Sequence, residues 1–354
     1  MPRDRMVPTL LSLLALGGCG GERAETPATA AAPPAEYAYV TNEDSHDLTI
    51  IDTRTDSVVA TIPVGRRPRG VKVSPDGKTV FVALSGSPKC PPTMPDEECA
   101  KLASDKTQDG IAVLDVATHR VTRVLPAGSD PEAFDLGPNA ATIVVSNEDA
   151  GQASIVEVAT GQVLATVPVG KEPEGVTIHP DGASAWITAE TDHDVTVIDA
   201  RTGMRMTRIE VGKRPRGIAF LPDGSRAYVT NETGGTVSVI DVPSRSVLAT
   251  ISLPAGAKPM GIVAAPDGKR VYVSTGRGRR IFALDPATDS VIASVEAGQR
   301  PWGIALSRDG TRLYAANGPS NDVSVIDTRT MGVVKTIPAG KTPWGVAIGA
   351  RRED

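Results

Sequence analysis

The chain has 354 residues and a formal net charge of −5, which argues against binding duplex nucleic acid through overall charge and leaves room only for local basic patches. Phe, Trp and Tyr make up 3% of the residues, so platforms on which nucleic-acid bases could stack are few. Length alone does not require two domains, because closed all-β architectures reach this size as one unit.

The N-terminal segment has the order of features found in an export signal. Arg3 and Arg5 precede an apolar run at residues 7–16 that is too short to span a bilayer, and the sequence LGGC ends at Cys19. The segment resembles a bacterial lipoprotein signal, which implies that residues 1–18 are removed and that Cys19 carries the lipid. An ordinary secretory peptide with an incidental cysteine is the alternative.

The residues after this cysteine predict where the protein is held. Gly20 stands where an Asp would alter sorting, which resembles the pattern of outer-membrane lipoproteins. We expect an exported envelope protein on the periplasmic side of the outer membrane, in contact with the membrane through its lipid anchor only. Residues 19–36 are rich in Ala, Pro and Thr, which predicts a flexible tether. The folded part is predicted at residues 37–350, with a tail at 351–354.

The folded part is built from a repeat of 42 residues, as measured from Pro173 to Pro215. In each copy a proline within x-P-x-G precedes a YVTN-like run, with 13 positions from Pro215 to Tyr228. A V-x-V-I-D run follows and closes with an acid, which is Asp241, 13 positions after Tyr228. A period of this length is typical of propeller blades, which are four-stranded units that cannot bury their faces alone.

Each copy contains four short runs with β-type patterns, which we name a to d in chain order. The Gly after each proline predicts a close backbone approach of the innermost strands, and Ala133 replaces it in one copy. The chain begins on a b-type run at Tyr37 and ends after an a-type run at residues 343–350. The pattern therefore predicts an all-β seven-bladed β-propeller with four-stranded blades, closed by N- and C-terminal strands that share one blade.

These runs resemble the YVTN-repeat seven-bladed β-propellers, a family of bacterial and archaeal envelope proteins. Residues 228–232 read YVTNE, the signature of that family, and the resemblance covers residues 37–350. Similar propellers include surface-layer repeats, nucleic-acid binders, lactonases and domains that carry haem or pack against quinone cofactors. The resemblance therefore implies the fold and does not imply one function.

One copy carries 21 extra residues in its b–c loop, at about residues 85–108. This insertion contains Cys90 and Cys99, which together with Cys19 are the cysteines of the chain. In an exported protein we expect Cys90 and Cys99 to form a disulfide that stiffens the loop. A metal held by the two thiolates with Asp96 or Glu97 is the alternative.

The candidate binding surface lies at the d–a and b–c loops, which emerge on one face because neighbouring strands are antiparallel. The variable positions of x-P-x-G are acidic in repeats two and three and basic in an arc from repeat four through seven to repeat one. Arg and Trp often dominate the binding energy of interfaces. We predict that a protein or an acidic small molecule binds through the following residues of the arc: Arg67, Arg69, Arg214, Arg216, Lys258, Arg300, Trp302 and Trp344.

Catalytic signatures are scarce, since the sequence has no nucleophile elbow, no Walker loop and no C-x-x-C pair. His46 and His193 share a b–c loop position, but no two histidines have metal-ligand spacing, so no metal site and no cofactor are predicted. The leading hypothesis is a non-enzymatic binding or scaffold propeller. An oxidoreductase-associated or lactonase-like propeller, holding haem, a quinone cofactor or a substrate in its funnel, is the alternative. Nucleic-acid binding is a weaker hypothesis.

Overall fold

The computed structural model describes residues 36–89, 94, 96–99 and 101–350, with backbone only at residues 96 and 99. In this part of the chain, 28 β-strands form seven sheets of four antiparallel strands each. The fold is a seven-bladed β-propeller, which confirms the prediction from the repeat. Within the described residues no helix is long and apolar enough to cross a membrane.

The first strand of the chain lies inside a blade and its partner comes from the C-terminus. Blade 1 contains β28 (Pro343–Ala350), β1 (Glu36–Asn42), β2 (Asp47–Asp52) and β3 (Ser57–Pro63), in that order from the inside outward. The register pairs Tyr37 with Gly349 and Val40 with Val346. The predicted closure of the ring by both ends of the chain is therefore confirmed.

The other six blades follow one another along the chain, each with its first strand innermost. Blades 2 to 4 contain β4 (Val71–Val73), β5 (Thr79–Leu84), β6 (Gly110–Asp115) and β7 (Arg120–Leu125); β8 (Pro131–Leu136), β9 (Thr142–Asn147), β10 (Gln152–Glu157) and β11 (Val163–Pro168); and β12 (Pro173–Ile178), β13 (Ser184–Ala189), β14 (Asp194–Asp199) and β15 (Arg205–Glu210). Blades 5 to 7 contain β16 (Pro215–Phe220), β17 (Arg226–Asn231), β18 (Thr236–Asp241) and β19 (Ser246–Ser252); β20 (Ile262–Ala264), β21 (Val271–Ser274), β22 (Arg280–Asp285) and β23 (Ser290–Glu296); and β24 (Pro301–Leu306), β25 (Arg312–Asn317), β26 (Asp322–Asp327) and β27 (Gly332–Pro338).

The hydrophobic core lies between the faces of neighbouring blades. One cluster joins Tyr228 and Val239 of blade 5 to Val271 and Phe282 of blade 6, and all four side chains are buried. In most blades the second strand carries a buried aromatic residue at the position of Tyr228, and in blade 4 this residue is Trp186. Burial of both faces explains why the second and third strands read as nearly continuous apolar runs.

The glycine of x-P-x-G is required by close contact between blades. A Cβ on Gly217 would lie 2.8 Å from the carbonyl oxygen of Met260 in the next blade, and one on Gly303 would lie 2.7 Å from that of Trp344. Real Cβ atoms do not approach backbone oxygens this closely, so only Gly fits without a shift of the backbone. This contact bears out the expected close approach of the inner strands.

A hydroxyl group in the second strand ties the same backbone segments together. Thr230 donates to the carbonyl oxygen of Met260 in the next blade at 2.7 Å and accepts from the N–H of Gly217 in its own blade at 2.8 Å. Equivalent bonds are made by the following residues of other blades: Thr41, Ser146, Thr188 and Ser274. A hydroxyl at the Thr position of YVTN therefore fastens five of the seven blades to the next, and Ala83 and Ala316 take this position in blades 2 and 7.

The 21-residue insertion lies between β5 and β6, and a short helix, α1 (Asp96–Cys99), is its one α-helical element among the described residues. Cys19 and Cys90 lie outside the described residues, as does the side chain of Cys99. The predicted signal, tether and tail also lie there, except Glu36, which begins β1. Lipidation and the disulfide therefore stay predictions.

Candidate functional site

The predicted tryptophans and arginines lie at one end of the ring. We call this region the mouth; it consists of the residues beside each x-P-x-G proline and the turns between the second and third strands. The guanidinium carbons of Arg216 and Arg300 lie 5.9 and 4.6 Å from the ring centre of Trp302, and the rings of Trp302 and Trp344 are 5.6 Å apart. Blades 5, 7 and 1 thus contribute to one surface.

Arg69 is buried and surrounded by carboxylates. Its side chain is 4% exposed and forms ion pairs with Asp130, Glu132 and Glu148 of the next blade, the last at 3.3 Å. Burial disfavours the charge on Arg69, but the nearby carboxylates, Asp130 first, outweigh this and raise its pKa. Arg69 therefore links two blades and offers no free charge to a ligand.

Arg216 has the same kind of environment at the junction of blades 4 and 5. It forms ion pairs with Glu174, with Glu190 at 2.8 Å and with Glu232 at 2.9 Å, and its side chain is 10% exposed. Arg214 pairs with Glu190 and Glu232 as well. Acidic and basic loop residues form ion pairs across these blade junctions, so much of the charge that the sequence assigns to an acidic sector and a basic arc is paired.

The carboxylates that pair with these arginines include four that the sequence analysis did not single out. They occupy the fifth position of the YVTNE run, directly after the second strand: Glu43, Glu148, Glu190 and Glu232. Arg67 pairs with Glu43 at 2.9 Å and donates to the carbonyl oxygens of Ser87 and Pro88 in the insertion. The repetition of this glutamate was the signal that could have revealed the network.

Arg300 differs from Arg214, which occupies the same repeat position. The YVTN-like runs before and after Arg214 end in Glu190 and Glu232 at their fifth position. The runs before and after Arg300 have Gly276 and Gly318 at that position. No ion pair joins Arg300 to a carboxylate in the described part of the chain, and the same holds for Lys258 and for Arg277. Burial and the charge of Arg277 lower the pKa of Arg300. The uncompensated positive charge of the mouth is therefore concentrated at blades 6 and 7.

Two carboxyl groups beside the paired arginines favour their protonated form. Burial, followed by the negative charge of Glu174, raises the pKa of Glu190 to about 9 and that of Glu148 to about 8. In Glu43 burial acts in the same direction, but Arg67, Lys89 and Arg69 outweigh it and lower the pKa. Glu148 and Glu190 therefore contact Arg69 and Arg216 as carboxyls that hold a proton more readily than ordinary ones.

A central channel opens beneath the mouth. Residues of all seven innermost strands line it, and it encloses a cavity of about 190 Å³. Phe134, Ile218 and Ile304 are among its apolar side chains, and Trp344 reaches it from the mouth. The aromatic pair therefore extends from Arg300 to the channel entrance.

The histidines and asparagines of the mouth support loops. The Nδ1 atom of His46 accepts the backbone N–H of Arg67 at 3.2 Å, and the Nδ1 atom of His193 lies 2.9 Å from the carbonyl oxygen of Glu190. Asn231 donates to the hydroxyls of Thr236 and Ser238, both at 3.0 Å. This asparagine therefore fastens the turn through side chains of the third strand. Within the described residues, no three His, Cys, Asp or Glu side chains converge on a position that could hold a metal ion.

Comparisons with known proteins agree with this architecture. The profile of the seven-bladed β-propeller lactonases matches residues 204–342. Antigen Lp49 of Leptospira interrogans is 28% identical over 109 residues, which are 31% of this chain and 22% of the antigen. This chain therefore matches about a fifth of the length of that curated relative.

Solved structures extend the likeness to most of the chain. Hydrazine synthase of Kuenenia stuttgartiensis superposes with a TM-score of 0.67 at 21% identity, over 79% of this chain and 89% of that one. A proposed 6-phosphogluconolactonase from Bacteroides fragilis gives a TM-score of 0.71 at 18% identity, over 89% and 98% of the two chains. A protein of unknown function from Desulfotomaculum acetoxidans gives 0.73 at 16% identity, over 89% and 99%. These identities support the fold alone.

Proposed function

We propose that this protein is a non-enzymatic binding module that holds an acidic ligand, or an acidic loop of a protein partner, at the Arg300 side of the mouth. The observation that carries the proposal is the contrast between Arg300 and the other arginines beside the x-P-x-G prolines. Arg67, Arg69, Arg214 and Arg216 all have carboxylate partners, whereas Arg300 lies over Trp302 with none in the described chain. A guanidinium fork in this situation favours a carboxylate or phosphate from outside.

Two substitutions test this site from different directions. Arg300→Gln removes the charge, and Gly318→Glu supplies the carboxylate that Arg214 has and Arg300 lacks. A Cβ at residue 318 would make only ordinary contacts, the nearest at 3.6 Å. Arg214→Gln is the matched control, because it removes an arginine that already has partners.

The measurement is titration calorimetry with benzoate and with a peptide that carries a single glutamate, at low and high salt. We expect each test variant to weaken binding by about tenfold or more and to reduce its salt dependence, while the control stays within about threefold of the wild type. Equal losses in all three variants, or no binding by the wild type, would contradict the proposal.

We also propose that Cys19 anchors the protein to the envelope by a lipid and that Cys90 and Cys99 form a disulfide. The LGGC sequence and the likeness of the repeats to YVTN propellers of cell envelopes support this. Cys19→Ser should move the protein from the membrane fraction to the soluble fraction. An unchanged membrane fraction would count against lipidation of Cys19. Thiols of Cys90 and Cys99 that react with a thiol reagent before reduction would count against the disulfide.

Hydrolysis of a cyclic ester is a second candidate function. It is supported by the lactonase profile match over residues 204–342 and by the protonated carboxyls of Glu148 and Glu190, which suit general acid catalysis. A panel of lactones followed by acid release, with wild type and Glu190→Gln, distinguishes this from binding alone. An absorbance spectrum of protein isolated from its native envelope tests for haem or a quinone cofactor.

A further inference from the structure

The channel beneath the mouth limits the size of whatever enters it. Its cavity of about 190 Å³ is comparable to apolar cavities of about 150 Å³ that accept a benzene ring. One aromatic ring or a short aliphatic chain therefore fits, and a larger body has to remain in the mouth.

The side chains of the channel favour an apolar occupant. Aliphatic or aromatic residues such as Val176, Ile262 and Val346 line it. The two polar side chains of the lining already have partners, since Lys72 pairs with Asp135 at 2.9 Å and the Thr177 hydroxyl donates to the carbonyl oxygen of Ile218 at 2.8 Å. A polar ligand would find few unpaired side-chain groups there.

An aromatic surface connects the channel to the unpaired arginine. Arg300 lies 4.6 Å from the ring centre of Trp302, Trp302 lies 5.6 Å from Trp344, and Trp344 borders the channel. Both tryptophans are partly exposed, so a flat molecule can stack on them while its charged end reaches Arg300.

The charged side chains around this aromatic surface favour a ligand with one anionic group. Beyond Trp302 lies Arg216, which is held by Glu174, Glu190 and Glu232. A second anionic group on that side would meet carboxylates and an arginine that is already paired, so it would be repelled.

We infer that the ligand of this site is a small monoanion with a flat apolar body, such as an arylalkyl carboxylate, whose charge binds Arg300 and whose ring stacks on Trp344 and enters the channel. The inference rests on the proposed function and names the chemical class of its ligand.

Three probes separate the contributions of charge and ring: 3-phenylpropionate has both, propionate has the charge alone, and 3-phenylpropanol has the ring alone. Calorimetry on the full chain gives the affinities. Quenching of tryptophan fluorescence in a Trp186→Phe background reports on Trp302 and Trp344, because the chain has three tryptophans. We expect 3-phenylpropionate to bind at least about tenfold more tightly than either other probe.

Ile262→Phe narrows the channel without changing a charge, and Trp344→Ala removes the stacking surface, so either variant can serve if the other does not fold. Each should weaken 3-phenylpropionate by about tenfold and leave propionate unchanged. If propionate binds as tightly as 3-phenylpropionate, or if neither variant affects the aryl probe, the inference fails while the binding function stands. If no anion binds and Arg300→Gln changes nothing, the binding function itself fails.

Discussion

At the scale of single residues, the buried arginines of the mouth act as connections between blades. Arg216 is held among three largely buried acidic side chains, of which Glu190 has a raised pKa. Removing Arg216 leaves the carboxylates of Glu174 and Glu232 without their cation, which typically costs about 3–5 kcal/mol. Arg214 pairs with two of the same carboxylates, but its side chain is 42% exposed, so solvent can replace it.

We therefore expect Arg216→Ala to lower the free energy of unfolding by about 3 kcal/mol or more, and Arg214→Ala by about 1 kcal/mol at most. Urea unfolding of both variants measures the difference. Similar losses in the two variants would show that burial does not distinguish these arginines.

The raised pKa values of Glu148 and Glu190 predict a decrease in stability at alkaline pH. Their ordinary value is 4.5, and in the folded protein they rise to about 8 and about 9. Between these pH limits the folded state binds more protons than the unfolded state, so the free energy of unfolding falls as the pH rises. The stabilisation from the two bound protons is lost as the pH passes through about 8 and about 9. The melting temperature of the wild type should decrease from about pH 6 to about pH 9.5.

Glu190→Gln should make that decrease smaller, because an amide mimics the protonated carboxyl and does not ionise. Glu210→Gln on the exposed outer strand β15 is the control and should follow the wild type. Thermal melts of the three proteins across this pH range provide the comparison. An unchanged slope in Glu190→Gln would show that this carboxyl does not hold a proton in the folded state.

At the scale of strands, the hydroxyl of the second strand predicts a measurable contribution to blade packing. Thr230→Val keeps the shape and β preference of the side chain but removes its bonds to Gly217 and Met260. It leaves a buried N–H and a buried carbonyl without their partner, so we expect a loss of about 1–3 kcal/mol. Thr250→Val on the exposed outer strand β19 should change stability by less than about 0.5 kcal/mol, as measured by the same unfolding experiment.

The strands and the closure of the ring were predictable because they depend on local periodicity. This periodicity is visible in the nearly constant spacing of the proline, the first residue of the YVTN-like run and the closing acid. The proximity of Arg300, Trp302 and Trp344 was predictable for the same reason. The ion-pair partners of the arginines were not predictable in this way, because Arg69 contacts Glu148 across a blade junction, 79 positions further along the chain. Reading Glu43, Glu148, Glu190 and Glu232 against Gly276 and Gly318 would have identified the unpaired arginine.

At the scale of the whole molecule, stability depends on the pairing of β1 with β28, which joins Glu36 to Ala350. Deletion of residues 343–354 removes the innermost strand of blade 1 and exposes the edge of β1. We expect a sharp decrease in melting temperature and partial recovery when a peptide of residues 343–350 is added, because the peptide can occupy the vacant edge. A truncated protein that melts like the full chain would contradict this role of β28.

The contact between each inner-strand glycine and the next blade's carbonyl has a consequence for how this protein can diversify. Close packing fixes how far apart the inner strands lie, since a Cβ on Gly217 would be 2.8 Å from the carbonyl oxygen of Met260 in the next blade. Smaller side chains at positions such as Ile218 or Ile304 can widen the channel only as far as this ring of main-chain atoms. Relatives that keep seven blades should therefore change their ligands at the rim, through the residues on either side of each proline and the choice of Glu or Gly after the second strand.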